Sequence, residues 1–175
     1  QKFFVKITKN IPQKAGLGGG SMNAANILKY LEKKKIIKVN KKQVIEISNY
    51  VGSDVILGLE PTNSILTANN LIKRYKNCKK LYILVVKPNF GCSTKDMYSR
   101  VNKFDKIRFK NPSKKMFNFD FLKKMSNSLE NIALNRYSTL KKIKSYLINL
   151  ENPIFVRMTG SGSAFISYYY SKKQC

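Results

Sequence analysis

Phe3, Val5 and Ile7 alternate with other residues, the period of a half-buried strand. Ala24, Ile27, Leu28 and Leu31 then recur at helical spacing and predict a helix from about Ser21 to Lys34. Between them lies Pro12-Gln13-Lys14-Ala15-Gly16-Leu17-Gly18-Gly19-Gly20, with four glycines in the five positions Gly16 to Gly20. The chain therefore opens as strand, glycine loop, helix. Lys33 to Lys38 reads as a solvated connection. Asn40 followed by Gln43 has the form of a capping box. Val44, Ile47 and Val51 mark one face of a short helix ending at Gly52.

Leu57 to Asn70 reads as turns and short strands, and Lys73 to Lys80 as a basic stretch with a domain boundary near it. Leu81 to Val86 is a continuous apolar run stopped by Pro88, the clearest strand in the chain. A helix-like segment follows Ser93 and Thr94 to about Val101; either hydroxyl most simply starts it, and contact with a substrate is the lesser reading. Asn102 to Lys115 is basic and without period, so it reads as a loop. Phe117, Phe119, Phe121 and Leu122 restart the core. Leu140, Ile143, Leu147 and Leu150 predict an amphipathic helix. Ile154 to Met158 and a second strand from Ala164 flank Thr159-Gly160-Ser161-Gly162-Ser163, which by itself is a hairpin turn.

Composition narrows the chemistry. The chain has 175 residues, 43% of them hydrophobic, enough for one domain or two small ones with a real core. It has 34 Lys and Arg against 9 Asp and Glu, a net charge of +25. Such charge suggests nucleic acid or an acidic membrane. The lysines, however, are scattered through every segment, and no zinc-finger or RNP-like motif accompanies them. The expectation is no specific nucleic-acid partner. There is no histidine, which removes Ser-His-Asp and Cys-His catalysis and most zinc sites. Cys78, Cys92 and Cys175 are far apart and odd in number, against a disulfide framework and in favour of a reducing cytoplasm. Cys92 reads as a small space-filler. No apolar run is long enough to span a membrane.

Glycines let the backbone turn sharply and bring N–H groups close to a ligand. The following helix adds unpaired donors and the positive end of its dipole. The combination suits a phosphate chain. Ser21 or Asn23 could cap the helix or touch the ligand. The loop is not a Walker A sequence, because no Gly-Lys-Ser/Thr follows, and it lacks the context of a dinucleotide fingerprint. Asp54, after the second helix, is by itself a cap or turn residue. In a chain without histidine it is also the obvious carboxylate to orient or deprotonate a hydroxyl.

The string Pro12 to Ala25 resembles the phosphate loop of the GHMP small-molecule kinases, Pro-x-x-x-Gly-Leu-Gly-small-small-Ser-x-Ala. Lys9-Asn10-Ile11-Pro12 and Gly18-Gly19-Gly20-Ser21 are most similar to the 4-diphosphocytidyl-2-C-methyl-D-erythritol kinases within that superfamily. Gly52-Ser53-Asp54-Val55 matches their Gly-small-Asp-Val-Pro, with Ile56 in place of the proline. Met158 to Ser163 resembles the third GHMP motif. Ser126 to Asn131 resembles an Asn-Asp-Leu-Glu signature in which Ser128 replaces the aspartate, leaving Asn127 and Glu130 as helix-start and packing residues.

The resemblance implies an α+β fold of two lobes. A ribosomal-protein-S5-like lobe, incomplete here, would span residues 1–76. A ferredoxin-like lobe, truncated at its end, would span 77–175. It implies ATP as cofactor, bound by Pro12, Gln13, Lys14, Ala15, Gly16, Leu17, Gly18, Gly19, Gly20, Ser21, Met22 and Asn23. Mg²⁺ would travel with ATP, with Ser21 as its candidate ligand. Asp54 would act on the substrate hydroxyl, and Gly160, Ser161 and Gly162 would form a supporting loop. The implied reaction moves the γ-phosphate of ATP to the 2-hydroxyl of 4-diphosphocytidyl-2-C-methyl-D-erythritol, a step of the non-mevalonate isoprenoid pathway. A homoserine or mevalonate type of GHMP kinase is the alternative within the class, and a basic nucleic-acid-binding module the alternative outside it. The chain opens with Gln1, lacks the family's upstream Pro-x-Lys-x-Asn segment and stops short of its last helix. It reads as an internal fragment, expected to be inactive and poorly soluble alone.

Overall fold

A computed structural model describes residues 3–67, 71–103 and 111–175. Residues 68–70 of the turn-and-strand stretch, 104–110 of the basic loop and the first two residues lie outside the described residues.

Helix α1 spans Gly19–Lys33 and α2 Lys41–Val51. A 3-10 turn, Val55–Leu59, follows, then a hairpin of β1 (Asn63–Leu66) and β2 (Ile72–Tyr75). β3 is Tyr82–Val86, α3 Thr94–Ser99, α4 Phe119–Lys124, α5 Glu130–Arg136 and α6 Ser138–Ile148. β4 (Phe155–Met158) and β5 (Phe165–Tyr169) close the chain. The result is α+β, with helices beside two small antiparallel sheets. One sheet is the β1–β2 hairpin and the other has the order β3-β5-β4.

The larger sheet holds the main core. Register places Val86, Phe165 and Met158 across one face, with Leu84, Ser167 and Val156 beside them. Leu129 and Ala133 of the α5 region and Leu140 and Leu147 of α6 pack against that face, together with Cys92 and Met97. On the other face Ile83 and Val85 stay exposed. The apolar run of β3 thus half-buries alternate residues, not all of them, because helices cover only one face of the sheet.

A smaller core joins α1 to the 3-10 turn, where Ala25, Leu28, Val55 and Ile56 are buried. A Cβ on Gly58 would lie 2.8 Å from the Ala25 Cβ, so glycine permits this close packing. Arg74 ties the hairpin to the same turn. Its Nη2 donates to Ile56 O at 2.6 Å and its Nη1 to the Ser64 hydroxyl at 3.2 Å.

Three local expectations change. Residues 3–10 form no strand, since no strand among the described residues lies alongside to share main-chain hydrogen bonds, and Phe4 is 93% exposed. Helix α1 begins at Gly19, two residues before Ser21, because Gly18 takes the cap position with φ 68°. In α2 the buried residue is Ser48, whose hydroxyl donates to Val44 O at 2.7 Å, while Ile47 and Val51 are exposed. The Asn40–Gln43 capping box forms as read, with the Gln43 N–H donating to Asn40 Oδ1 at 3.0 Å and the Asn40 N–H to Gln43 Oε1 at 2.9 Å.

Candidate active site

The glycine loop is fixed from behind. The Cys92 N–H donates to Lys14 O at 3.0 Å, and the Ala164 N–H donates to Ala15 O at 3.1 Å. The Thr159 hydroxyl donates to Gly16 O at 2.9 Å. Gly16 has φ 72°, and a Cβ there would lie 2.1 Å from Thr159 O. No other residue fits that approach. The loop is therefore bound edge-on to Thr159–Ala164, although 143 positions separate Gly16 from Thr159.

From the front the loop is open. A Cβ on Gly18 or Gly20 would meet nothing within 4 Å. The Met22 N–H reaches Gly18 O at 2.9 Å, but no side chain caps the N-terminus of α1. The N–H groups of Gly19, Gly20 and Ser21 precede the first intrahelical bond and have no acceptor within the helix. They form a donor cluster at the positive end of a 15-residue helix.

These donors face a cavity of about 1270 Å³. It is lined continuously by Thr8 to Ser21 and by Asn23. Met22 does not line it, because its side chain lies against Gly58. Asp54 lines the same cavity from the start of the 3-10 turn, which packs on α1. Its carboxylate is exposed, and Oδ1 accepts from the Ser53 hydroxyl at 3.5 Å. Gly160 and Ser161 line the far wall, whereas Gly162 is turned toward Cys92 and the Met158 sulfur. Among the described residues, Lys9, Lys14, Lys103 and Arg157 line the cavity against the one carboxylate of Asp54. That balance favours a polyanion.

All three sequence motifs thus meet in one cavity. Sequence reading missed other parts of its wall. Ser93 is the cap of α3, accepting from the Asp96 N–H at 3.4 Å. Thr94, one residue on, lines the cavity with its hydroxyl 2.8 Å from that of Ser161. Contact at this pair was the lesser of the two sequence readings, and the doubled hydroxyl, where a helix needs one cap, was its signal. Tyr98 lies one turn further along the same helix and also lines the wall. Asn127, read as a helix-start residue, lines the cavity and donates to Met158 O at 2.9 Å and to Gly160 O at 2.7 Å. Arg157 and Tyr168 reach the cavity from the open sheet face, where neither motif nor period pointed to them. Burial pushes the Tyr168 phenol up, partly offset by the Arg157 guanidinium.

Among the described residues no group of three or more His, Cys, Asp or Glu could hold a metal ion. No helix among them is long and apolar enough to cross a membrane.

Residues 1–60 match the family described as GHMP kinases N terminal domain. All 175 residues align at 54% identity with the 4-diphosphocytidyl-2-C-methyl-D-erythritol kinase of Pelagibacter ubique (strain HTCC1062), of which they cover 62%. The enzyme of the same name from Clostridium botulinum (strain Loch Maree / Type A3) is 36% identical over 94% of this chain and 61% of its own length. The chain therefore spans about three fifths of the length of these relatives. A crystal structure of a 4-(cytidine 5'-diphospho)-2C-methyl-D-erythritol kinase shares the fold, with a TM-score of 0.71 over 95% of this chain and 61% of that one at 24% identity. Residues 1–60 are thus similar to the N-terminal domain of the GHMP kinases, and along its whole length the chain is similar to the 4-diphosphocytidyl-2-C-methyl-D-erythritol kinases.

Proposed function

We propose that this chain carries the phosphoryl-transfer site of an ATP-dependent kinase acting on the 2-hydroxyl of 4-diphosphocytidyl-2-C-methyl-D-erythritol, in the non-mevalonate route to isoprenoids. The observation that carries the reading is the single cavity shared by the glycine loop, Asp54 and Thr159–Ser161. The substrate assignment rests on the relatives of that name. Residues 1–76 act as the ATP-binding lobe and 77–175 as the second lobe, with the cavity between them. The three cysteines are free thiols, in keeping with action in a reducing cytoplasm.

In this reading the N–H groups of Gly18 to Ser21 hold the phosphate oxygens of ATP, and the Lys9 and Lys14 side chains neutralise part of their charge. Asp54 orients the substrate hydroxyl. As the hydroxyl oxygen bonds to the γ-phosphorus and the bond to the ADP oxygen breaks, the Asp54 carboxylate takes the proton. Thr159 to Ser161 keep the loop from yielding. Mg²⁺ bound with ATP would supply charge neutralisation on the phosphates, and the Ser21 hydroxyl, which lines the cavity, would be its protein oxygen.

The test is Asp54→Asn in the full-length chain, assayed with ATP, Mg²⁺ and the diphosphocytidyl substrate. The amide keeps the shape and loses the proton acceptor. kcat should fall about a hundredfold or more while the KM for ATP stays nearly constant. Near-normal turnover would return Asp54 to the role of a turn residue.

A further inference from the structure

The far wall of the cavity is an edge of the sheet. β4 pairs with β5 on one side, and the order β3-β5-β4 leaves its other side without a strand among the described residues. Met158 stands opposite Phe165, and its own N–H and C=O both turn to the open side. They are not left to water. The Met158 N–H donates to Glu130 Oε2 at 2.7 Å, and Met158 O accepts from Asn127 Nδ2 at 2.9 Å. The same Nδ2 donates to Gly160 O at 2.7 Å. Asn127 Oδ1 accepts from the Leu129 N–H at 3.0 Å. Both amide hydrogens of Asn127 and its oxygen are thus committed to main chain, so this side chain lines the cavity without a donor to spare for a ligand. Glu130 is in turn held by Lys144 of α6, and it is only 8% exposed.

The held segment is the one that fixes the glycine loop. Thr159, between the two carbonyls that Asn127 grips, donates its hydroxyl to Gly16 O. Gly160 lies flat on Gly16, where a Cβ would stand 2.8 Å from Gly16 O. From these contacts we infer that Asn127 is a positioning residue for phosphoryl transfer. It works as a two-pronged clamp that sets Thr159 and Gly160, and through them the N–H groups facing the phosphates. Glu130 and Lys144 anchor the clamp to α5 and α6. The inference rests on the reading of Gly16 to Ser21 as a phosphate loop. Donors aimed at developing charge act by being fixed in advance, so loosening their backing costs rate more than substrate binding.

Two substitutions in the full-length chain separate a clamp from a packing residue. Asn127→Ala removes both donors. Asn127→Asp keeps the shape but sets a carboxylate oxygen against two carbonyl oxygens. A clamp predicts that kcat falls about tenfold for Ala and about a hundredfold for Asp, with the KM for the diphosphocytidyl substrate within about twofold of normal. A packing role predicts the reverse order, with the isosteric Asp the milder. Amide hydrogen exchange without ligand supplies a second readout. Exchange at Gly160, Gly162 and Ala164 should quicken in both variants while that of α6 holds, which also shows that the variants are folded. Unchanged exchange, or quickened exchange with normal kcat, overturns the inference, as does Asp milder than Ala. Quickened exchange in the variants of a wild-type chain that turns over no ATP would leave the contacts standing. It would sink the phosphoryl-transfer reading, and the positioning role with it.

Discussion

Gly16→Ala tests how the two halves of the site are joined. At φ 72° an alanine occupies the left-handed region, which costs about 1–2 kcal/mol. Its Cβ would also lie 2.1 Å from Thr159 O and 3.0 Å from the Gly162 nitrogen. These are main-chain atoms and cannot swing away as a side chain would. The chain must part there, giving up the Thr159 hydroxyl bond to Gly16 O and straining the Ala164 bond to Ala15 O. Two lost or weakened bonds add about 1–3 kcal/mol, so the whole penalty is about 2–5 kcal/mol. Gly18→Ala is the matched control. Its φ is 68°, but its Cβ meets nothing within 4 Å, so it should lose about 1–2 kcal/mol from conformation alone. Urea denaturation of the two variants measures the difference as a shift in midpoint at constant slope. Equal midpoints would refute the argument that Gly16 is required by contact with Thr159. A further split is expected in ATP binding by calorimetry. Gly18→Ala puts its methyl into the open cavity and should weaken ATP binding out of proportion to its small loss of stability.

Burial, followed by the Asp96 charge, pushes the Cys92 thiol up. At pH 8, iodoacetamide should label exposed Cys175 at least about a hundredfold faster than Cys92, which reacts only on unfolding; equal rates would contradict its burial. The Tyr168 phenol is pushed up from 10.0, so the unfolded chain loses that proton first as pH rises. Its contribution is intact below about pH 10 and is lost as pH climbs through the folded value, so Tyr168→Phe should flatten the fall in urea midpoint above about pH 10 relative to the parent.

Much of the site was legible because its parts are local. The glycine run, the capped start of α2 and the Gly-Ser-Gly hairpin each follow from a few consecutive residues. The two strands flanking that hairpin and the amphipathic helix marked by Leu140, Ile143 and Leu147 followed from periodicity. What was not legible depends on contacts between distant segments. Asn127 looks like any helix-start residue until the fold brings it to Met158 and Gly160. Arg157 and Tyr168 alternate with buried neighbours as surface residues of a strand would, and their part in the cavity wall is decided by which sheet face stays open. The strand read at Phe3 to Ile7 failed for the complementary reason. Alternation says which face a segment would bury, but pairing needs a neighbour, and none is present among the described residues.

The network at Arg74 shows that the positive charge of this chain is of two kinds. Of its 34 basic residues 5 are arginine. Arg108 lies outside the described residues. The other four all have partners that suit a flat, forked cation. Arg74 spans the hairpin and the turn that carries Asp54. Arg100 pairs with Asp96 at 3.0 Å. Arg136 lies over the Tyr137 ring, and Arg157 lies over Phe155 while donating to Leu122 O. A lysine at any of these places would bring the same charge without the fork. Lysine at solvated sites leaves the fold alone, whereas the same exchange at Arg74 would unfasten the hairpin from the turn that carries Asp54 without altering the net charge.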